Sequence, residues 1–150
     1  SSKELTTMTT ALQLFGTDGL RGEVGQGFIT PAGATQLGYV LGQWVQAQGG
    51  SAVALGQDTR ASGPALVEAL GVGLAAAGVT AVSLGVVPTA AVGMLTRHQG
   101  YGAGVMVTAS HNPYTDNGYK IFGPTGDKLP DAVLTTLEAG LLNAAPIPPV

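Results

Sequence analysis

The prediction of the fold starts from residues 103–113, AGVMVTASHNP, which read as a buried strand followed by a polar loop. The five small or apolar residues 103–107 predict a buried strand, and the chain becomes polar immediately after them. Asn112-Pro113 is a turn signal, because proline fixes its own φ and disfavours the helical conformation of the residue before it. Ser110 is therefore predicted on a loop just past the carboxyl end of a core strand, the position where open α/β sheets bind ligands.

Strands and helices alternate before this stretch. Thr30-Pro31 predicts a helix start, because threonine caps helices and proline suits their first turn. A short return after Pro113 predicts that the last strand is antiparallel to the strand before Ser110. The pattern predicts an α/β domain with a mixed, mainly parallel sheet covered by helices. Strands are predicted at 12–15, 52–56, 79–84, 102–107 and 119–122, and helices from Thr30-Pro31 to Gly49, from 62–64 to Gly78, and at 90–98 and 131–142.

Polar loops follow three of the predicted parallel strands, at 58–60, 88–89 and 110–111. Because the carboxyl ends of parallel strands share one edge of a sheet, we expect these loops to lie together. The glycine-rich segment 15–22, FGTDGLRG, is predicted as a further loop that wraps a ligand and directs Arg21 at it. The return after Ser110 is expected to carry Lys120 back towards the serine.

The chain has 150 residues, a net charge of -3 and no cysteine. Hydrophobic residues make up 45% and charged residues 10%, which is typical of a single globular domain with a sizeable core. The sequence lacks the lysine or arginine cluster that nucleic-acid binding requires and an apolar run long enough to cross a bilayer. We therefore expect a cytoplasmic protein with no nucleic-acid or membrane partner.

Only six residues are lysine or arginine, so the position of each cation is informative. Arg21, Arg60 and Lys120 lie in glycine-rich or turn-rich segments, which predicts a site for an anion. Arg60 is expected to diverge from Asp58, two residues away on a loop. Arg21 has no acidic neighbour in the pattern of a helix face, which favours a ligand or a distant partner.

Three motifs resemble known sites but have simpler explanations. His111 follows Ser110 directly, and adjacent residues of an extended chain point to opposite sides, which disfavours a serine hydrolase. Residues 71–76 match a dinucleotide-binding pattern but lie within a predicted helix, so small residues for helix–sheet packing explain them better. Residues 123–128 lack the spacing of a phosphate-binding loop and are predicted as a turn. The two histidines are far apart, so the chain alone is not expected to hold a metal ion.

The ends of the chain are predicted to lie outside the fold. Residues 1–11 are polar and are expected to be disordered or introduced by cloning, and residues 12–143 form the domain. Residues 144–150 are rich in proline and are expected to be a linker to a missing second domain.

Taken together, three segments resemble the α-D-phosphohexomutase superfamily: FGTDGLRG at 15–22, GQDTR at 56–60 and TASHNPYTDNGYK at 108–120. The resemblance extends from Phe15 to Leu142, and Val24-Gly25 makes it closest to the bacterial phosphoglucosamine mutase branch. That branch interconverts glucosamine 6-phosphate and glucosamine 1-phosphate. Phosphomannomutase or phosphoglucomutase specificity stays open, as does a non-catalytic α/β module used for binding or assembly.

The resemblance implies a role for each site residue. Ser110 would carry a phosphoryl group, with glucosamine 1,6-bisphosphate as intermediate and activator. His111 and Lys120 would lie around the phosphoserine, with Lys120 as general acid or base, and Arg21 near the transferred phosphate. Arg60 and Asn112 would shape the site and bind the phosphosugar.

The superfamily has four domains, and this chain resembles only the first. Mg²⁺ would be held by three aspartates of a DGDxDR loop in the second domain and by the phosphate on Ser110. We therefore expect the isolated chain to be inactive. We also expect it to expose apolar surfaces that favour self-association.

Overall fold

The computed structural model describes residues 12–144 and 146–149. The expectations for residues 1–11, and for positions 145 and 150 of the predicted linker, lie outside the described residues. The described elements are β1 (Leu20–Glu23), α1 (Pro31–Ala47), β2 (Ala52–Gln57), α2 (Gly63–Ala76), β3 (Thr80–Val86), α3 (Thr89–Gln99), β4 (Ala103–Val107), β5 (Asp116–Phe122) and α4 (Asp131–Asn143).

The five strands form one sheet in the order β1-β5-β4-β2-β3. β2 pairs in parallel with both β3 and β4, whereas β5 is antiparallel to both β4 and β1. Four strands consequently run in one direction and β5 alone opposes them. This confirms the predicted mixed, mainly parallel α/β sheet, and it places the loops after β2, β3 and β4 at the same edge.

Helices cover both faces of the sheet. α1, α2 and α4 bury the larger core, to which α4 contributes the three predicted inward leucines, Leu134, Leu137 and Leu141. α3 covers the other face, where Val92 packs with Met106 and Phe122. The start of α1 follows its local sequence: Thr30 Oγ1 accepts a hydrogen bond from the Gly33 N–H at 2.9 Å, as expected of an N-cap threonine.

The dinucleotide-like segment 71–76 lies inside α2 and serves packing. A Cβ on Gly73 would collide with the backbone of Thr35 in α1, so this glycine lets two helices approach closely. Gly71 instead faces Ala81 of β3. The predicted helix–sheet role therefore holds for Gly71, but the tighter contact, at Gly73, is between helices.

The segment 12–15 is not a strand, so that prediction is wrong. The backbone N–H groups of Gln13, Leu14 and Phe15 donate to the carboxylate of Glu138, at 2.6 to 3.2 Å. The side chain on α4 thus takes the donors that a neighbouring strand would otherwise use.

A strand begins where the sequence predicted a ligand-wrapping loop. Gly16 and Gly19 exchange backbone hydrogen bonds in a tight turn, and β1 starts immediately afterwards. Gly19 has a φ of 92°, and a Cβ there would collide with the Tyr119 carbonyl of β5. The glycines therefore bring β1 against β5, and this pairing places Arg21 opposite Gly118.

Candidate active site

Ser110 lies on an exposed loop past the end of β4, as predicted, and its φ is 51°. Only Ser110 and Ala144 combine a side chain with a positive φ among the described residues. This conformation is costly for a residue with a Cβ and persists only where its surroundings hold it. The strain consequently falls on the residue that the sequence singled out.

Side chains hold the backbone of Ser110 on both sides. Its N–H donates to Thr108 Oγ1 at 3.0 Å, and its carbonyl accepts from Arg60 Nη2 at 2.8 Å. Thr108 Oγ1 in turn donates to Asp58 Oδ2 at 2.7 Å. The loop after β2 therefore fixes the loop after β4.

Arg60 is the centre of this arrangement, and its side chain is only 9% exposed. The prediction that Arg60 diverges from Asp58 is wrong, because Nε forms an ion pair with Asp58 Oδ2 at 3.1 Å. Its two terminal nitrogens donate to four backbone carbonyls, those of Ser110, Asn112, Pro113 and Asp116. All five N–H donors of the guanidinium are thereby engaged. Contact between Arg60 and a substrate phosphate stays a prediction, and it would require one of these bonds to break.

Arg21 reaches the serine loop from β1. Its Nη1 lies 3.5 Å from Asn112 Oδ1, and Asn112 Nδ2 donates to Asp116 Oδ2 at 3.1 Å. The expectation that Arg21 lacks a local acidic partner is wrong, because Asp18 Oδ2 lies 3.8 Å from Nη2. That pair is long and Asp18 is largely exposed, so it binds Arg21 weakly. Arg21 Nε is buried without a hydrogen-bond partner.

The Lys120 side chain lies beside Phe122 in the structure. Lys120 is opposite Met106 in the β4–β5 pairing, and its Nζ lies 5.8 Å from the centre of the Phe122 ring. Phe122 is further along β5, away from the serine loop. His111 is exposed beside Ser110. The predicted catalytic roles of Lys120 and His111 stay predictions.

Three polar residues of the site neighbourhood were not predicted as site residues from the sequence. Thr108 and Asp58 connect to Ser110 as described above. Asn117 is fully buried in β5; its Nδ2 donates to Ser62 Oγ at 2.8 Å and its Oδ1 accepts from the Gly118 N–H. No sequence signal pointed to Asn117, because it precedes the predicted strand 119–122. The structure places it inside β5, where its buried side chain needs hydrogen-bond partners.

A shallow polar cleft of about 500 Å³ opens beside the serine. Tyr114 forms part of its wall and is 85% exposed. The lining residues are Asp58, Thr59, Arg60, Ala61, Ser110, Asn112 and Tyr114. Two of the three predicted loops, those after β2 and β4, thus contribute to one cleft.

Within residues 12–144 and 146–149, no three histidine, aspartate or glutamate side chains are grouped so as to hold a metal ion. In the same part of the chain, no helix has the length and apolarity needed to cross a membrane. The carboxylates nearest Ser110, Asp58 and Asp116, are already hydrogen-bonded to Thr108, Arg60 and Asn112. The described residues therefore do not form a Mg²⁺ site by themselves.

These features define an α/β/α domain in which an exposed loop, with a strained serine, lies at the carboxyl edge of its parallel strands. The chain belongs to the phosphoglucomutase/phosphomannomutase family, because the model of that family's alpha/beta/alpha domain I matches residues 12–146.

Individual relatives agree with this assignment. Phosphoglucosamine mutase of Deinococcus radiodurans is 48% identical over 94% of the chain and 32% of the relative. That of Glaesserella parasuis is 51% identical over 85% of the chain and 29% of the relative. A crystal structure of a phosphoglucomutase/phosphomannomutase family protein from Burkholderia thailandensis superposes with a TM-score of 0.75 and 34% identity, over 91% of this chain and 30% of that one. The chain spans less than a third of the length of these proteins.

Proposed function

We propose that this domain supplies the phosphate-carrying serine of a phosphosugar mutase that interconverts glucosamine 6-phosphate and glucosamine 1-phosphate. The observation that carries the proposal is the exposed, strained Ser110, held from both sides at the mouth of a polar cleft. Relatives named phosphoglucosamine mutase support the choice of sugar.

The proposed reaction consists of two phosphoryl transfers. A hydroxyl of the sugar monophosphate attacks the phosphorus of phosphoserine and its proton passes to a base, while the P–Oγ bond breaks and the departing Oγ takes up a proton. This gives a sugar bisphosphate and an unphosphorylated serine. After the bisphosphate turns round, Ser110 Oγ gives its proton to a base and attacks the phosphorus of the other phosphate. The bond from that phosphorus to the sugar oxygen breaks, the sugar oxygen takes up a proton, and the isomeric monophosphate is released.

The chain's own residues would act mainly by positioning and by charge. Arg21 is 23% exposed and has a weakly held guanidinium beside the serine loop, so it would neutralise charge on the transferred phosphate. Asn112 connects Arg21 to that loop. For Lys120 to act as general acid or base, its side chain would have to rotate from the Phe122 ring towards the loop.

The metal ion, the activator, the cellular location and the oligomeric state are further parts of the same proposal. A Mg²⁺ ion would neutralise phosphate charge when bound, and this chain would contribute only the phosphate on Ser110. The aspartates that hold the ion would lie in a further domain of the same protein. Glucosamine 1,6-bisphosphate as activator, a cytoplasmic location and self-association also stay proposals. A related preference for mannose or glucose phosphates is favoured by the name of the family and by that of the Burkholderia thailandensis neighbour.

The test is turnover of glucosamine 6-phosphate by the full-length protein that carries this domain. Ser110→Ala is expected to abolish formation of glucosamine 1-phosphate. Ser83→Ala is the matched control, because Ser83 is an exposed serine on β3 outside the cleft. Full activity of Ser110→Ala would instead support the non-catalytic binding or assembly module.

A further inference from the structure

Two residues of the β2 loop reach Ser110 by different routes. Arg60 contacts the serine carbonyl directly, whereas Asp58 reaches the serine N–H only through Thr108. We propose that Asp58 and Thr108 are positioning residues, which together with Arg60 hold Ser110 in its left-handed conformation and thereby aim its hydroxyl. We call these three residues the serine clamp. The inference rests on the proposed function for its effect on catalysis but not for its effect on conformation.

The clamp acts on both peptide groups that flank Ser110. The N–H belongs to the peptide plane before the Cα, and the carbonyl belongs to the plane after it. Fixing the orientation of both planes fixes φ and ψ, and with them the direction in which the Cα–Cβ bond points. A left-handed serine, which is unfavourable on its own, is thus imposed by its partners.

Thr108 connects Asp58 to Ser110, because Asp58 orients the Thr108 hydroxyl. A hydroxyl has one proton to donate, and Thr108 uses it on Asp58 Oδ2. Its lone pairs are then available to the Ser110 N–H, which donates to the same oxygen. Asp58 is itself held by the Arg60 backbone N–H on Oδ1, and by Arg60 Nε on Oδ2. The carboxylate therefore joins both halves of the clamp.

Thr108 is 6% exposed, so loss of its hydroxyl could affect stability alone. A purely structural role predicts a lower unfolding midpoint with normal turnover in the folded enzyme. A positioning role predicts a lower kcat at temperatures where the variant is folded. The substrate KM would change little, because the lost interaction orients the nucleophile and does not bind the sugar.

The variants are Thr108→Val, which removes the hydroxyl at constant shape, and Thr108→Ser, which retains it. Thr96→Val is the matched control, because Thr96 is a buried threonine that donates to Val92 O far from the loop. In the full-length enzyme, Thr108→Val is expected to lower kcat by about 10- to 100-fold, with KM within about twofold. Thr108→Ser and Thr96→Val should keep kcat within about threefold of the parent.

A second readout needs no activity. In the 150-residue chain, amide exchange of Ser110 is expected to accelerate about tenfold in Thr108→Val relative to Thr108→Ser. The Cα and Cβ chemical shifts of Ser110 should move away from left-handed values. Asp58→Asn, which leaves Thr108 intact, should shift both readouts in the same direction, and it serves as the test if Thr108→Val does not fold.

Unchanged exchange and chemical shifts at Ser110 in both Thr108→Val and Asp58→Asn would overturn the clamp. So would parental kcat in Thr108→Val in an enzyme that Ser110→Ala inactivates. Turnover by Ser110→Ala would refute the proposed function instead. The amide-exchange measurement would still test whether the serine clamp holds the conformation of Ser110.

Discussion

Arg60 Nη2 donates to the carbonyl oxygen of Ser110 across 2.8 Å, although fifty residues separate them in sequence. This contact joins the loops after two adjacent parallel strands, β2 and β4. The loop that carries the strained serine is therefore held by the neighbouring loop as well as by Thr108 of its own segment.

Arg60→Lys tests whether the fork of the guanidinium is required. Lysine keeps the charge but offers three donors from one point, so it cannot reach four carbonyls and Asp58 together. We expect a loss of about 2–3 kcal/mol in the free energy of unfolding, measured with urea. The control is Arg97→Lys, at an exposed arginine of α3, which should change the free energy of unfolding by less than about 0.5 kcal/mol. Equal stabilities for the two variants would contradict the structural role of Arg60.

Ser110→Gly compared with Ser110→Ala tests the strain at the serine. Alanine keeps the Cβ that disfavours a φ of 51°, whereas glycine does not. Ser110→Gly is therefore expected to be more stable than Ser110→Ala by about 1 kcal/mol, as measured by thermal unfolding. At Ser83, which lies on β3 and has no positive φ, the order should reverse. A Ser110→Ala variant at least as stable as Ser110→Gly would show that Ser110 is not strained in solution.

Glu138→Gln tests how the segment before the glycine turn is held. The carboxylate accepts the N–H groups of Gln13, Leu14 and Phe15, whereas an amide offers one acceptor oxygen and adds a donor. We expect a destabilisation of about 1–3 kcal/mol and faster amide exchange at residues 13–15. Glu68→Gln, on the exposed side of α2, is the control. Unchanged exchange at residues 13–15 would argue against this tether.

Tyr119 makes stability depend on pH in the alkaline range. Burial raises the pKa of the Tyr119 hydroxyl, which donates to Phe28 O at 2.8 Å. The folded state therefore retains a proton that the unfolded state releases above the ordinary tyrosine pKa of about 10, and stability falls as the pH rises through that value.

Tyr119→Phe removes the titrating hydroxyl. The free energy of unfolding, measured with urea, should therefore depend less steeply on pH between about pH 9 and 11. The variant also loses one hydrogen bond, so it should be about 1 kcal/mol less stable at neutral pH. Tyr114→Phe, at an exposed position, should keep the parental slope. If the unfolding free energy of Tyr119→Phe fell with pH as steeply as that of the parent, Tyr119 would not be the source of the pH dependence.

The sequence predicted the regular elements well where local chemistry determines them. The cap at Thr30 and the apolar run before Ser110 both predicted elements that the structure contains. It failed at residues 12–23, because the glycines that bring β1 against β5 resemble a loop, and because Glu138 lies more than a hundred residues away.

The site was predictable in position but not in its internal contacts. The order of strands and turns placed Ser110, Arg60 and Asn112 at one edge of the sheet. No local pattern could indicate that Arg60 would use all its donors within the protein, four of them on backbone carbonyls 50 to 56 residues away. Such contacts depend on the register of strands that are distant in sequence.

The central claim is that one serine oxygen carries the phosphate during turnover. The most direct measurement maps phosphate by mass spectrometry in the full-length protein, before and after incubation with glucosamine 1,6-bisphosphate. The account predicts one phosphate, located on Ser110, that increases with the bisphosphate and transfers to glucosamine 6-phosphate. Turnover with the phosphate on another residue, or with Ser110 never phosphorylated, would contradict it.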